Sequence, residues 1–341
     1  MKNIRFFDTT MRDGEQGIGY LLTTQQKLTL LQKLSQLNIA VIELGMVTAD
    51  QDSQSLFEQA IDTAGDQNVA ALCRLHEVDI QLAVKALSKF RQSTLNLLCI
   101  GSEIHLNKKM GMSAFEAGAL LDNSLAAIRD AQYAGNIYAI LEDSTRGSET
   151  LLHEQIQRLI KHGIKDICLA DTVGAMTPSS SYAFFSTFIR AYPDVRFSTH
   201  FHNDLGMAVA NTICAIDAGV HEVQVTLGGI GERCGNASFE EVVAILSHCE
   251  GYKGQMDTIP ALKDIVDLCR FFYQILGREP NTNKPIIGAN AFLTCAGIHQ
   301  SAILKHPETY EFINPESLGM QRGFHINRLS SRKLKQCSAD L

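Results

Sequence analysis

No apolar run in this chain approaches the ~20 residues that a membrane-spanning helix requires. The opening MKNIRFFDTT lacks the basic segment leading into an apolar core that marks a secretory leader. Both absences point to a soluble protein of the cytoplasm with no membrane partner. Basic charge is also scarce: 30 Lys and Arg stand against 37 Asp and Glu, for a net charge of −7. That leaves no surplus of cations to hold a phosphate backbone, which argues against nucleic acid as a partner. CxxC pairs are missing as well, and the nine cysteines are scattered and odd in number. They read as reduced, mostly buried thiols rather than disulfides or a zinc ribbon. What is present is length and apolar content, 341 residues at 45% hydrophobic, enough for a large core.

Short β-rich runs alternate with longer helical patterns: IRFFDTT, AVIELGM, VAALCRL, TLNLLCIGS, IYAILED, DICLADTVG, VRFSTHFHND and EVQVTLGG. Between them, stretches such as Thr24 to Leu37 and Ala114 to Ala134 repeat apolar residues at three and four, the helical period. Eight such units end near Cys249, the usual extent of a (β/α)₈, or TIM, barrel, with a doubly wound open sheet as the alternative. Polar residues favour the barrel. Arg12, Asp13, Glu43, Arg74, Glu142, Asp171, His200, His202 and Asn236 all fall at or just past strand ends, where such barrels place their chemistry. The expected division is a catalytic barrel over 1–255 and a small, mostly helical region over 256–341. The latter begins with a helix from about Ala261 to Leu276, passes the PNTNKP segment, and ends in the polar tail RLSSRKLKQCSADL.

The most specific short signal is STHFHND. On a strand, residues i and i+2 share a face, so His200 and His202 project side by side from one strand end. The bland alternative is a pair of satisfied histidines. In a closed barrel strand 8 lies between strands 7 and 1, which brings Asp13 and Asn236 to the pair although they stand 223 positions apart. Two imidazoles, a carboxylate and an amide oxygen suit a divalent ion such as Zn, Mn or Mg. With a single carboxylate the site stays cationic, which favours an anionic chelating substrate such as a 2-oxo acid. Arg12 is placed to stabilise charge developing on a carbonyl oxygen. Glu43 and Glu142 follow buried strands and are candidates for acid or base work; the alternative for each is an ion pair with Arg12, Arg74 or Arg146.

DTTMRDGEQ (Asp8 to Gln16), HFHNDLGMAVAN, GIGERCGNASFEEVV and AGIHQSAILKHPETYEFINPESLG, in that order, resemble the motifs of the 2-isopropylmalate synthase and homocitrate synthase family, the acetyl-CoA-dependent Claisen condensing enzymes. The resemblance runs from about residue 4 to 320. It implies a TIM barrel with a helical region behind it, a divalent metal, acetyl-CoA as co-substrate, a 2-oxo acid as acceptor, and a homodimer. Carried over by position, it makes Asp13, His200, His202 and Asn236 metal ligands and Arg12 the residue that polarises the keto oxygen. Glu142 and Thr172 then belong to the substrate pocket, with Gln16 and Glu43 beside them, Thr172 bonding the 2-oxo acid carboxylate. His299 and Tyr310 resemble the pair supplied to the partner subunit's active site for proton transfers. On composition, His299 on an apolar helix reads instead as a core or capping histidine.

Substrate choice rests on departures from the family pattern. Tyr138 stands where fungal-type homocitrate synthases place an arginine for the distal carboxylate of 2-oxoglutarate, and Ile140 stands where the family has a small polar residue. His76 in CRLHEVD resembles homocitrate synthases, whereas His105 in GSEIHLNKKM resembles isopropylmalate synthases. The expectation is an apolar 2-oxo acid, 2-oxoisovalerate first, with 2-oxoglutarate (homocitrate synthase) or pyruvate (citramalate synthase) as alternatives. Two further readings are a retro-Claisen or retro-aldol lyase on the same metal barrel and a catalytically silent 2-oxo acid binder.

Overall fold

A computed structural model describes residues 4–254, 259–328 and 330. The expected barrel limit at residue 255 and nearly all of the polar tail lie outside the described residues. Eight strands, β1 (Arg5–Asp8), β2 (Val41–Met46), β3 (Val69–Arg74), β4 (Ser93–Ile100), β5 (Asn136–Glu142), β6 (Asp166–Asp171), β7 (Arg196–Phe201) and β8 (Glu222–Val225), pair in chain order. β8 returns to β1 in parallel register, Phe6 opposite Val223 and Phe7 opposite Gln224, so the sheet is a closed barrel rather than an open one.

Period-two alternation sorts the strand side chains into two cores. Phe7, Val41, Ala70, Leu72, Tyr138, Ile140, Cys168 and Ala170 pack inside the barrel. Their neighbours Phe6, Ile42, Leu97, Leu141 and Leu169 face the surrounding helices. That outer ring comprises α1 (Thr24–Leu34), α2 (Gln51–Ala64), α3 (Glu77–Leu87), α4 (Ala114–Asp130), α5 (Glu149–Lys161), α6 (Pro178–Ala191), α7 (Ala208–Ala218) and α8 (Phe239–His248). Side-chain caps set the starts of α1, α2, α4, α5 and α6. Thr23 and Gln26 close a capping box on α1, Ser113 and Glu116 one on α4, and Thr177 caps α6 ahead of Pro178 at its first turn. A cap of this kind stabilises a helix by about 1 kcal/mol and fixes where it begins. The loops between strand ends and caps are thereby left to form the mouth.

The next helix, α9 (Leu262–Ile275), buries Ile265, Val266, Cys269 and Phe272 and packs against α1 and α8. Gln26 Nε2 donates to the Ile275 carbonyl at 2.6 Å, and Lys33 lies 4.4 Å over the Phe271 ring. Beyond it, among the described residues, helix is confined to α10 (Gly297–Ile303) and isolated 3₁₀ turns. A feature not expected from the sequence is a parallel pair formed by β9 (Leu293–Thr294) and β10 (Gly323–Phe324). The PNTNKP turn is pinned rather than loose: Lys284 reaches Glu241 at 2.5 Å and also contacts Ser238.

Candidate active site

β7 delivers His200 and His202 to the mouth from one face, as their spacing requires, and the turn after β1 delivers Asp13. One ligand atom from each of the three converges within 4.8 Å, all three side chains being buried. The imidazole Nε2 atoms stand 3.2 Å apart, and Asp13 Oδ2 is 2.8 Å from His200 Nε2 and 3.8 Å from His202 Nε2. Gln224, inside β8, accepts from His200 Nδ1–H at 2.8 Å. That contact places a proton on Nδ1 and turns Nε2 toward Asp13. Burial and the neighbouring His200 push His202 down to about 3, so His202 is neutral. Burial alone would raise the Asp13 carboxyl, yet Arg12 and the two histidines hold it well below the usual carboxylate range.

Three ligand atoms thus turn on one point. Asn236 adds a fourth donor. It bridges His202 through the backbone, and its Oδ1 is buried with no hydrogen-bond partner, as are both Asp13 oxygens. Buried polar atoms are nearly always satisfied, so a cluster of orphaned acceptors fits a divalent ion. The loop that carries Asn236 depends on glycine: Gly235 has φ +89°, and a Cβ there would strike the Gly229 carbonyl.

A cavity of about 310 Å³ lies over the cluster. Arg12, Asp13, Gln16, Glu142, Thr172, His200 and His202, all singled out from sequence, line it. Of its apolar floor of Leu72, Leu98, Ile140 and Ala170, only Ile140 was singled out from sequence, because strand interiors carry no mark of their depth. Thr172 Oγ1 accepts from the Asp143 amide at 2.8 Å, which frees its hydroxyl proton for a ligand. Glu142 pairs with none of the arginines weighed for it. His105 Nδ1 at 3.1 Å and Lys109 Nζ at 2.6 Å both meet its Oε2, which leaves Oε1 for the cavity.

Six of the sequence candidates stand elsewhere. Glu43 is fully buried and receives Arg12 Nε at 2.6 Å, Thr9 at 2.8 Å and Asn96 Nδ2 at 2.8 Å. It orients Arg12 instead of touching substrate, the ion-pair alternative. Tyr138 does not reach the cavity. It lies two strand residues below Ile140 in the inner core, its ring 5.2 Å from Phe7 and its hydroxyl on Ser198. His105 acts on Glu142 from behind, and His76 stands exposed on the rim of an adjoining cavity, 3.9 Å from Asp79. His299 and Tyr310 stack at 4.0 Å on and after α10, exposed and outside the wall of this cavity. Gln224, Lys109 and Arg233 were missed by sequence reasoning. Gln224 alone had a usable signal, a polar residue at an inward period-two position of β8.

A family model described as HMGL-like matches residues 3–271, and one described as homocitrate synthase post-HMGL domain-like matches 286–335. Among curated proteins, the 2-isopropylmalate synthase of Aquifex aeolicus (strain VF5) is 33% identical over 321 residues, covering 93% of this chain and 61% of that protein. That of Pyrococcus abyssi (strain GE5 / Orsay) is 36% identical over 343 residues, covering 98% and 70%. The chain therefore spans about three fifths to two thirds of the length of such relatives. Among solved structures, hydroxymethylglutaryl-CoA lyase from Pseudomonas aeruginosa superposes with a TM-score of 0.70 at 19% identity, over 82% of this chain and 95% of that one. At that identity the likeness is one of fold.

Proposed function

We propose, from the premise that this chain belongs to the 2-isopropylmalate synthase and homocitrate synthase family, with an HMGL-like barrel and a homocitrate synthase post-HMGL domain-like segment, that it condenses acetyl-CoA with an apolar 2-oxo acid. The observation that carries this reading is the convergence of Asp13, His200 and His202 on one point beneath a cavity with a charged rim and an apolar floor. A divalent ion held by these residues and Asn236 would supply Lewis-acid polarisation of the keto oxygen. The post-HMGL match favours condensation over cleavage.

The chain's own residues divide the remaining work. Arg12 is charged despite its burial, because Glu43 and Asp13 flank it, and its guanidinium faces the cavity where negative charge develops on the keto oxygen. The Thr172 hydroxyl donates to the substrate carboxylate. Glu142 Oε1, with His299 and Tyr310 from a second copy of the chain, handles protons. Removal of a methyl proton from acetyl-CoA gives an enolate, which attacks the keto carbon; the oxygen is protonated, and water then cleaves the thioester to release CoA. Leu72, Leu98, Ile140 and Ala170 receive the side chain of the 2-oxo acid. The cations on the wall already have work, Arg12 with Glu43 and the keto oxygen and Arg233 with Asp204 at 2.7 Å, so a distal carboxylate would be buried unpaired at a cost of several kcal/mol.

The test is thiol release from acetyl-CoA across a panel of 2-oxo acids with added Zn, Mn or Mg. 2-Oxoisovalerate is expected to give a higher kcat/KM than 2-oxoglutarate. The opposite order would refute the apolar preference, and no release with any 2-oxo acid would refute the condensation.

A further inference from the structure

A second cavity, of about 520 Å³, opens beside the first, and Leu98 and Glu142 line both. Its walls are apolar: Leu75, Ile100, Met110, Met112 and Leu120. The basic groups around it are already committed. Arg74 is held by Asp79 at 2.5 Å, and Lys109 and His105 by Glu142. His76, 66% exposed at its side chain, sits at the rim, so the interior offers no cation to an anionic ligand. The roof is the six-residue π-helical turn His105–Met110, a geometry that recurs at functional sites. Two unbranched methionines make an adaptable wall for a flexible guest.

The first cavity, at about 310 Å³, must hold the 2-oxo acid head and the acetyl thioester, which leaves room for only a short side chain. We propose that the second chamber receives the far end of a longer, linear apolar side chain of the 2-oxo acid, with Leu98 as the gate between the two spaces. This assignment rests on the condensation reading above and extends its substrate class from short branched chains to medium-chain 2-oxo acids.

Met112 lines only the second chamber and packs against Ile100, Leu106 and Ala117, away from the metal cluster. Substituting it in both directions tests the proposal on the full chain loaded with metal. Met112→Trp fills the chamber and should lower kcat/KM for 2-oxooctanoate at least ~10-fold while changing 2-oxoisovalerate less than ~2-fold. Met112→Ala widens the chamber and should move the best linear substrate to a longer chain. Equal loss on both substrates in Met112→Trp, or an unmoved chain-length optimum in Met112→Ala, overturns the proposal. So does a parent protein that turns over 2-oxoisovalerate but not 2-oxooctanoate, which leaves the condensation standing. Inactivity toward every 2-oxo acid removes both.

Discussion

The metal cluster depends on one residue that is not a ligand. Gln224 fixes the proton of His200 on Nδ1 and so frees Nε2 to face Asp13. Partners of this kind tune metal affinity by about 10–100-fold. Gln224→Leu is therefore expected to weaken metal binding within that range, with the barrel still folded; calorimetric titration that finds unchanged affinity would contradict the role. A second buried group acts at the opposite end of the barrel. Burial raises the Glu222 carboxyl to about 7, against the lowering effects of Arg5 and Tyr138. Its ordinary value is 4.5. As pH climbs from 4.5 toward 7 the unfolded chain releases this proton and the folded chain retains it, so stability falls across that window and levels off above it. The contribution is on the order of 3 kcal/mol. Denaturant titrations of Glu222→Gln across pH 4 to 8 should lack that part of the decline, and a profile parallel to the parent's would show that Glu222 is ordinary.

Each strand end is followed by a short loop whose geometry sets what the strand can present. The β8 loop is the most constrained of these, with Gly228, Gly229 and Gly235 all at positive φ. Gly235→Ala both occupies an unfavourable backbone region and drives a methyl into the Gly229 carbonyl. The expected loss is about 1–3 kcal/mol of stability. Metal affinity should fall with it, because Asn236 is the next residue. Equal denaturation midpoints and equal metal occupancy in the variant would show that the loop tolerates the change. The same loop is buttressed from outside by Lys284, so the segment after α9 bears on the mouth although it contributes no wall residue to the metal cavity.

In the molecule as a whole, the barrel offers a nearly complete mouth, whereas His299 and Tyr310 stand stacked and exposed beyond it. The exposed side chains Ile298 and Phe312 lie near them in sequence. This arrangement is consistent with delivery of the pair to a second copy of the chain. Mixing inactive His299→Ala chains with inactive His202→Ala chains should then restore part of the activity, since one site of each mixed dimer would carry both intact elements. Verified heterodimers with no recovery would mean that the site is built within one chain.

Periodicity was enough to read eight strand–helix units, and the His200–His202 spacing was enough to read a shared face, because both are local consequences of backbone geometry. Asp13 and Asn236 could be joined to that pair only by assuming closure, which the β1–β8 pairing supplies. Depth within the barrel was not legible. Glu43, Tyr138 and Glu142 all end or lie in strands and look equally poised in sequence, yet one is buried under Arg12, one belongs to the inner core, and one reaches the cavity. Strand tilt and register decide that height, and both are properties of the closed sheet rather than of any single segment.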